Sequence, residues 1–438
     1  MQYYVDDYNA SADGKTLDTE AINNAILDCH KRGGGNVVFT KSKIYRSGLI
    51  KMLDNVTLYL EPGAILKASD DINDFNIDEN SDEIKKVLDT PTWENCDYSG
   101  QPTKYFLYAK SCKNIGIAGG GIIDGNEEIY YGNITKWHIE GYFYPRVPLI
   151  FFEDCENVNI NEITLRRSGF WTTHLVGCRK VNIDNVKILN SLKLANCDGI
   201  DPDTCQNMKI KNCYIEAADD CIVFKTTENA KKYGECRDIE VSNCTLMSTS
   251  AAIKFGTESV SNFKNIYVHD CNIIKSNRGI SLQLRDSGNI DNIRFKNIII
   301  DTRRFSPTHW WGKSEPIAIT AVKRYKNSTI GKITNIYFDN IICNSENGIF
   351  IHGERSKNIN NIYLNNIDVT IDSKTNWDKK IYDLRPSEEY GIINNPINII
   401  YGRNANNIYL CGLNYKISKE IEPDMGKIFD VDSVNLIK

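Results

Sequence analysis

Residues 265–274 read Asn-Ile-Tyr-Val-His-Asp-Cys-Asn-Ile-Ile, and this stretch is one copy of a motif that recurs along the chain. In each copy, apolar and polar residues alternate, an Asn or Asp follows, and a second short apolar run ends the copy. The alternating segments end at Ile160, Ile183, Ile210, Val241, Val268, Phe295, Phe338, Leu364 and Leu410. Their spacing is about 23 to 31 residues across the middle of the chain and longer where loops are inserted. The pattern predicts a short strand, a tight turn and another short strand.

A repeat of this size cannot bury its apolar side alone, but stacked copies bury a continuous core. About three short strands per turn at this period describe a right-handed parallel β-helix. Asn suits the turn because it tolerates the left-handed backbone region. The Leu-x-x-Leu-x-Leu spacing of a leucine-rich repeat is absent, and a β-propeller needs longer antiparallel repeats. We therefore predict an all-β, single-domain right-handed parallel β-helix.

The N-terminal stretch predicts a helix that covers the open end of this stack. The helix follows Asp18 and ends at the glycines of 33–35, and its apolar face consists of Ala21, Ile22, Ala25 and Ile26. We assign 1–36 to an N-terminal segment with this capping helix and 37–438 to the β-helix, as one structural domain overall. The segments that interrupt the repeat predict long inserted loops at 79–105, 124–148, 302–314 and 372–395.

The composition narrows the possible functions of the protein. The 438 residues are 41% hydrophobic and 25% charged, with 52 Lys and Arg against 57 Asp and Glu. A formal charge of −5 argues against a nucleic-acid partner, which requires a basic face. No apolar run approaches the roughly 20 residues of a membrane span. The 14 Cys form no CxxC framework, so we expect buried, reduced thiols and no zinc site.

The first residues, Met-Gln-Tyr-Tyr-Val-Asp-Asp, have neither a basic start nor an apolar core. They predict a cytoplasmic protein if this start is native, and an extracellular or periplasmic one if a signal peptide was removed. The sequence leaves the oligomeric state open.

Candidate catalytic residues concentrate in 196–225, which contains Asn-Cys-Asp-Gly at 196–199 and Asp-Asp-Cys at 219–221. Asp198 and Asp219 are about one coil apart, so stacking would place them side by side on one sheet face, with Asp220 at the adjacent turn. Acid–base glycoside hydrolysis requires one protonated acid for the leaving oxygen and ionised partners that activate water. A polar turn or a calcium site is the alternative for these residues.

The chain resembles glycoside hydrolase family 28, the polygalacturonase and pectinase family. The resemblance runs from Asp-Gly-Lys-Thr-Leu-Asp-Thr-Glu-Ala-Ile at 13–22, through Phe-Trp-Thr-Thr-His-Leu at 170–175, to the two acidic motifs. It implies a right-handed β-helix and inversion at the anomeric carbon, with no metal or other cofactor. Carried over by position, Asp219 would be the general acid, and Asp198 and Asp220 would hold and deprotonate the attacking water.

Two family motifs are altered in this chain. The position of the Gly-His-Gly histidine is Ala251, and the Arg-Ile-Lys motif, which grips a galacturonate carboxylate, falls at Ser281-Leu-Gln283. Lys254 and Arg285 lie near these positions, and either could replace a lost cation. The acid–base set is retained while the sugar-recognition set is rewritten. We therefore expect a side branch of the family and doubt plain polygalacturonan as the substrate.

Further residues are candidates for substrate contact, each with a structural alternative. His174 lies about one coil before Asp198 and could line the groove, or it could pack beside Trp171. Lys225 could contact substrate or form an ion pair. Sugar hydroxyls could bind to Glu258 and Asp286, which could equally be surface charges. Sugar rings could stack on Trp310 and Trp311, or this pair could pack a loop onto the scaffold.

Three functions fit these observations. The first is an inverting glycosidase that acts on a pectin-like or related oligo- or polysaccharide. Inserted loops that could close one end of the groove favour attack from the chain end. The second is a polysaccharide lyase on the same scaffold, although its usual basic residues are missing. The third is a non-catalytic carbohydrate-binding β-helix, which would not require three grouped acids.

Overall fold

A computed structural model describes residues 1–77, 85–86, 103–141, 143–144 and 146–437. The chain forms two compact units, Met1–Ala218 and Asp219–Lys438. Most of the loop expected at 79–105 lies outside the described residues, as do residues 142 and 145 of the loop at 124–148. The expected organisation of 37–438 as one domain stays a prediction.

The first unit contains one α-helix among its described residues, α1 (Thr19–Lys31), and short 3-10 helices at Val5–Tyr8, Ile72–Phe75 and Glu127–Tyr130. Its strands are β1 (Gln2–Tyr4), β2 (Asp13–Leu17), β3 (Gly35–Phe39), β4 (Ile44–Ser47), β5 (Ile50–Lys51), β6 (Val56–Leu60), β7 (Ile65–Ala68), β8 (Lys85–Lys86), β9 (Leu107–Lys110), β10 (Lys113–Ala118), β11 (Ile122–Asp124), β12 (Tyr131–Ile134), β13 (Ile139–Gly141), β14 (Phe143–Tyr144), β15 (Ile150–Glu153), β16 (Glu156–Asn161), β17 (Thr164–Arg166), β18 (Thr173–Val176), β19 (Arg179–Asp184), β20 (Lys187–Leu189), β21 (Ile200–Asp203), β22 (Gln206–Lys211) and β23 (Tyr214–Ala217).

The second unit is built from strands and has 3-10 helices at Lys231–Tyr233 and Glu422–Asp424. Its strands are β24 (Ile222–Thr226), β25 (Cys236–Ser242), β26 (Thr245–Ser248), β27 (Ala251–Ser259), β28 (Phe263–Ser276), β29 (Arg278–Leu284), β30 (Ile290–Thr302), β31 (Ile317–Ala321), β32 (Ile333–Ser345), β33 (Ile349–Gly353), β34 (Ile359–Ile371), β35 (Ile381–Asp383), β36 (Ile392–Asn394), β37 (Ile400–Ile417) and β38 (Phe429–Ile437).

Each unit stacks copies of the repeat in parallel and in register. In the first unit, β10, β16, β19 and β22 follow one another, so that Ile160 pairs with Ile183 and Ile183 with Ile210. In the second unit, the corresponding strands are β25, β28, β30, β32, β34 and β37, and Val268 pairs with Phe295. The residues that end each copy of the motif are therefore direct neighbours, as the repeat predicts.

Asparagines in the left-handed conformation bend the long strands of the second unit. Asn265 and Asn292 have φ of 55° and 53°, a left-handed conformation that Asn tolerates better than most residues. The Asn292 side chain donates to Asn265 Oδ1 at 2.8 Å, and Asn265 donates to Asp238 Oδ1 at 3.0 Å. A second ladder runs from Asn340 through Asn297 to an aspartate, at 2.8 and 2.9 Å. The left-handed conformation expected for Asn is confirmed, but it bends one continuous strand where the repeat predicted a turn between two short strands. The ladders also hold the register.

The N-terminal helix forms as the sequence predicts, since the face of Ala21, Ile22, Ala25 and Ile26 is buried. The stack begins earlier than residue 37, however, because β1 pairs with β3 and β2 pairs with β4. Strand β2 is mostly exposed, so no alternation of apolar and polar residues marks it in the sequence.

The repeated cysteines are buried, as predicted. The thiols of Cys213, Cys244 and Cys271 lie 3.2–3.3 Å from the carbonyl oxygen two residues earlier, so all three occupy equivalent positions. Within the described parts of the chain, no helix has the length and apolar character needed to cross a membrane.

Two isoleucines of β30 test how much of the stability comes from the stacked core. Ile293 is fully buried, whereas 53% of Ile299 is exposed. We expect Ile293→Ala to lower the free energy of unfolding by about 2–4 kcal/mol, because it leaves a cavity. Ile299→Ala should change it by less than about 0.5 kcal/mol. Urea denaturation followed by circular dichroism measures both, and equal losses would contradict this assignment of the core.

Candidate active site

The second unit begins with the acidic pair, at the turn that leads into β24. Asp219 is half-buried and Asp220 is buried. A carboxylate oxygen of Asp219 lies within 4.8 Å of one of Asp220, and Ser248 Oγ donates to the Asp219 carbonyl at 2.6 Å. Two carboxylates at this distance repel each other when both are ionised. One of them can therefore serve as a proton donor while the other serves as an acceptor.

Three donors fix the Asp220 carboxylate. Lys254 Nζ lies 2.7 Å from Oδ2, while Ser250 Oγ and the Ala251 amide donate to Oδ1 at 2.9 and 3.1 Å. All three donors come from the segment 250–254, one coil after the acidic pair. Lys254 is thus an ion-pair partner of Asp220, and its ammonium group can compensate the charge of a nearly buried carboxylate.

A second charged cluster lies beside Lys254. Lys225 Nζ is 3.4 Å from Glu258 Oε2, and Arg324 Nη2 is 3.9 Å from Glu258 Oε1. Arg324 also binds Asp286 through Nε at 3.1 Å and Nη2 at 3.3 Å. Burial would raise the pKa of Glu258, but Lys225, Arg324 and Lys254 outweigh it and lower the pKa to about 2. Glu258 is therefore a carboxylate at neutral pH.

Asp286 is hydrogen-bonded within the protein and is therefore not a free surface charge. Its Oδ2 accepts the Ser259 amide at 2.9 Å and the Ser259 hydroxyl at 3.2 Å, in addition to the Arg324 guanidinium. Lys225 likewise shows the ion pair that was one of its two predicted roles. Contacts of Lys225, Glu258 and Asp286 with a sugar stay predictions.

The first unit carries the other acidic motif, at the turn before β21. Asn196 has φ of 56° and its amide oxygen accepts Arg146 Nη2 at 2.7 Å, while Arg146 Nη1 donates to the Ala195 carbonyl at 2.7 Å. Asp198 is buried, and its backbone carbonyl accepts the Thr172 amide at 2.9 Å. The turn that presents Asp198 is thus fixed from both sides. The proximity of Asp198 to the acidic pair of the second unit stays a prediction.

His174 does not line a groove, as one of its two predicted roles required, but is buried. The imidazole has no exposed surface, lies 3.3 Å from Asp203 Oδ2, and packs edge-on against Trp171 and Phe151 at ring distances of 4.8 and 5.1 Å. A side chain without exposed surface does not reach a dissolved sugar. The prediction of substrate contact by His174 is wrong, and the structure shows its alternative, packing beside Trp171.

Arg285 is also wrongly predicted as a substrate contact. It is fully buried, and its guanidinium donates to the carbonyls of Leu284, Leu384 and Pro386 at 2.9, 3.0 and 2.9 Å. Burial, together with the neighbouring charge of Arg324, lowers its pKa to about 9. Arg285 therefore anchors the segment 384–386 to the stack and does not replace the missing family cations by contact with substrate.

The two tryptophans have different surroundings. Trp310 is buried, and its backbone carbonyl accepts Lys313 Nζ at 3.2 Å, so stacking of a sugar on its ring stays a prediction. Trp311 is half-buried, with the Arg385 guanidinium 5.9 Å from its ring. Stacking of a sugar on Trp311 stays a prediction.

Residues that the sequence reasoning missed hold the candidate site in place. Arg146, about 50 residues before Asn196 in the sequence, binds the side chain of Asn196. Arg324 forms ion pairs with both Glu258 and Asp286. Ser250 donates to Asp220 at the altered Gly-His-Gly position. The position of Ser250 follows from the motif alignment, whereas no local pattern marks the two arginines.

Comparisons with known proteins show the family of the chain and its fold. The family model described as glycosyl hydrolases family 28 matches residues 86–384. A probable polygalacturonase from Vitis vinifera is 26% identical over 310 residues, 68% of this chain and 61% of that protein. An endo-polygalacturonase from Pectobacterium carotovorum subsp. carotovorum is 22% identical over 83% of this chain and 86% of that protein.

A solved structure shows the same fold. The family 28 exopolygalacturonase of Yersinia enterocolitica superposes with a TM-score of 0.73 at 17% identity, over 100% of this chain and 78% of that chain. This likeness confirms the predicted fold class, a right-handed parallel β-helix with few helices.

The ion pair between Lys254 and Asp220 can be tested by a double-mutant cycle. Lys254→Met should lower the free energy of unfolding by about 3 kcal/mol, because it leaves a buried carboxylate without its cation. Asp220→Asn in the same chain should restore part of this loss, with a coupling energy of about 1–3 kcal/mol. Lys264→Met, at an exposed lysine of β28, is the matched control and should cost less than about 0.5 kcal/mol. Urea denaturation at pH 7 gives all values, and additive effects would contradict the pairing.

Proposed function

Since the chain belongs to the glycosyl hydrolases of family 28, we propose that it is an inverting glycoside hydrolase acting on an O-glycosidic bond of a pectin-like or related oligo- or polysaccharide. The observation that carries the proposal is the Asp219–Asp220 pair, in which one carboxylate is held by Lys254 and the other is half-buried. A non-catalytic binding protein does not require such a pair, and a polysaccharide lyase depends on a basic residue for proton abstraction.

The roles of the acids follow from their surroundings. Asp219 is the partly exposed member of the pair and acts as the general acid, giving its proton to the oxygen of the leaving sugar. Asp220, fixed by Lys254 and Ser250, acts with Asp198 to orient a water and to take its proton. The water oxygen bonds to the anomeric carbon as the glycosidic bond breaks, so the configuration inverts. The role of Asp198 rests on the family motif and on the spacing of the repeat.

We propose further that hydrolysis starts from a chain end. The outward row of side chains that contains Lys254 continues through Ser281 and Ala318 to Phe350 by direct strand pairing. Ser281, Ala318 and Phe350 have no exposed surface, so the row is covered from the strand after Lys254 onward, and the Tyr382 ring of the β35–β36 hairpin stacks on Phe350 at 4.7 Å. Arg285 secures the adjoining segment 384–386. A polysaccharide that reaches Lys254 would therefore be stopped in this direction at the next strand.

The proposed acid can be tested by a charge-neutral substitution. Asp219→Asn should lower kcat by about 1000-fold or more, because the amide cannot donate the proton to the leaving oxygen. Asp432→Asn, at an exposed carboxylate of β38, is the control and should keep the wild-type kcat. Release of reducing sugar from pectic oligosaccharides gives the rates, and circular dichroism checks the fold. A folded Asp219→Asn variant with near wild-type turnover would overturn the assignment of the acid.

The direction of attack can be tested on a polymer. An enzyme that removes terminal sugars should release mono- or disaccharides while the viscosity of a polymeric pectic substrate hardly falls. Chromatography of early products and viscometry of the same digest measure both effects. A rapid loss of viscosity with mid-chain fragments would contradict the covered end of the row.

A further inference from the structure

Three cations gather around the proposed base, and each already has a carboxylate partner within the protein. Lys254 pairs with Asp220 at 2.7 Å, Lys225 with Glu258 at 3.4 Å, and Arg324 with Asp286 at 3.1 Å. Three positive charges therefore face three negative charges. The cluster offers no excess of positive charge to an anionic ligand.

The positions that carry cations in the family motif are neutral here. Lys254 pairs across the strands with Ser281, and Ser281 and Gln283 are both buried. Ala251 replaces the motif histidine and uses its amide to bind Asp220. No cation therefore stands at Ser281 or Gln283, whereas recognition of a uronate carboxylate is strongest with a positively charged partner.

The most exposed charged group of the cluster is a carboxylate. The Glu258 side chain is 34% exposed, compared with 4% for Lys225, 10% for Lys254 and 12% for Arg324. The cations that surround Glu258 keep it ionised, since its pKa is about 2. A carboxylate accepts hydrogen bonds from sugar hydroxyls, and it repels a second carboxylate placed beside it.

We propose that Glu258 is a specificity-determining residue that makes the subsite beside Asp220 select an uncharged sugar unit over a uronate. This inference rests on the proposed function of the same site. Lys225 and Arg324 hold the Glu258 carboxylate between them, and the 34% of this side chain that is exposed can accept hydrogen bonds from sugar hydroxyls. The sugar recognised here is a neutral hexose or deoxyhexose with free hydroxyl groups.

A matched pair of ligands isolates the effect of charge. The probes are an α-1,4-linked trigalacturonate and its carboxyl-reduced counterpart, the neutral galactotriose, which differ only at C6. Binding is measured by titration calorimetry to the Asp219→Asn variant at low salt, so that no hydrolysis intervenes. We expect the neutral trimer to bind at least 10-fold more tightly than the charged one, and the difference to shrink in 0.5 M NaCl, because salt screens the repulsion.

The matched variant is Glu258→Gln in the same background. Removing the negative charge should tighten binding of the charged trimer by about 10-fold and bring the two affinities close together. Glu240→Gln, at an exposed glutamate of β25, should leave the ratio unchanged. Equal or tighter binding of the charged trimer before substitution, an unchanged ratio after it, or no binding of either trimer would overturn the inference.

Hydrolysis by the wild-type protein separates the two proposals. Turnover of the charged trimer in preference to the neutral one would support the proposed hydrolase and contradict the role given to Glu258. Selective binding of the neutral trimer without turnover of any pectic oligosaccharide would support the role of Glu258 and count against the hydrolase.

Discussion

The structure depends on a turn that most residues adopt only with strain. Asn265, Asn292 and their counterparts take a left-handed backbone conformation, and their side-chain amides bind the equivalent oxygens of the neighbouring coil. This combination bends each strand at the same place and fixes its register with the next strand. Because side chains alternate between the two faces of a strand, a slip of one residue would reverse every buried position. The ladders of turns are therefore what allows the apolar residues to meet their copies.

Regular stacking also explains why charged side chains from successive coils lie close together. Lys254 lies one coil after the acidic pair. The pairing of β24 with β27 fixes the position of the Lys254 backbone, and from there its side chain reaches Asp220. Glu258 follows four residues later and is surrounded by Lys225, Lys254 and Arg324. Buried charges are costly unless they are paired, so each cation in the cluster has its own carboxylate. The group that remains partly exposed is Glu258, and the selectivity proposed above depends on its charge.

The repeat made most of the fold predictable, because burial on a stacked coil follows local alternation. The pairing of Val268 with Phe295, the buried face of α1 and the buried thiol of Cys244 could all be predicted from periodicity. The surroundings of His174 and Arg285 could not. Arg285 donates to carbonyl groups about 100 residues further along the chain. No local sequence pattern predicts that this distant loop lies over the stack. The role of Arg146 could not be predicted for the same reason, although its side chain stabilises the turn that carries Asp198.

The central proposal is that Asp219 gives its proton to the leaving oxygen while an ionised carboxylate takes a proton from the attacking water. Such an arrangement requires the base to act through a water on the face opposite the leaving group, so the anomeric configuration must invert. Proton NMR of the sugar formed in the first minutes of hydrolysis, before mutarotation, measures this directly. The account predicts that an α-linked substrate gives the β-anomer first. First formation of the α-anomer would contradict it.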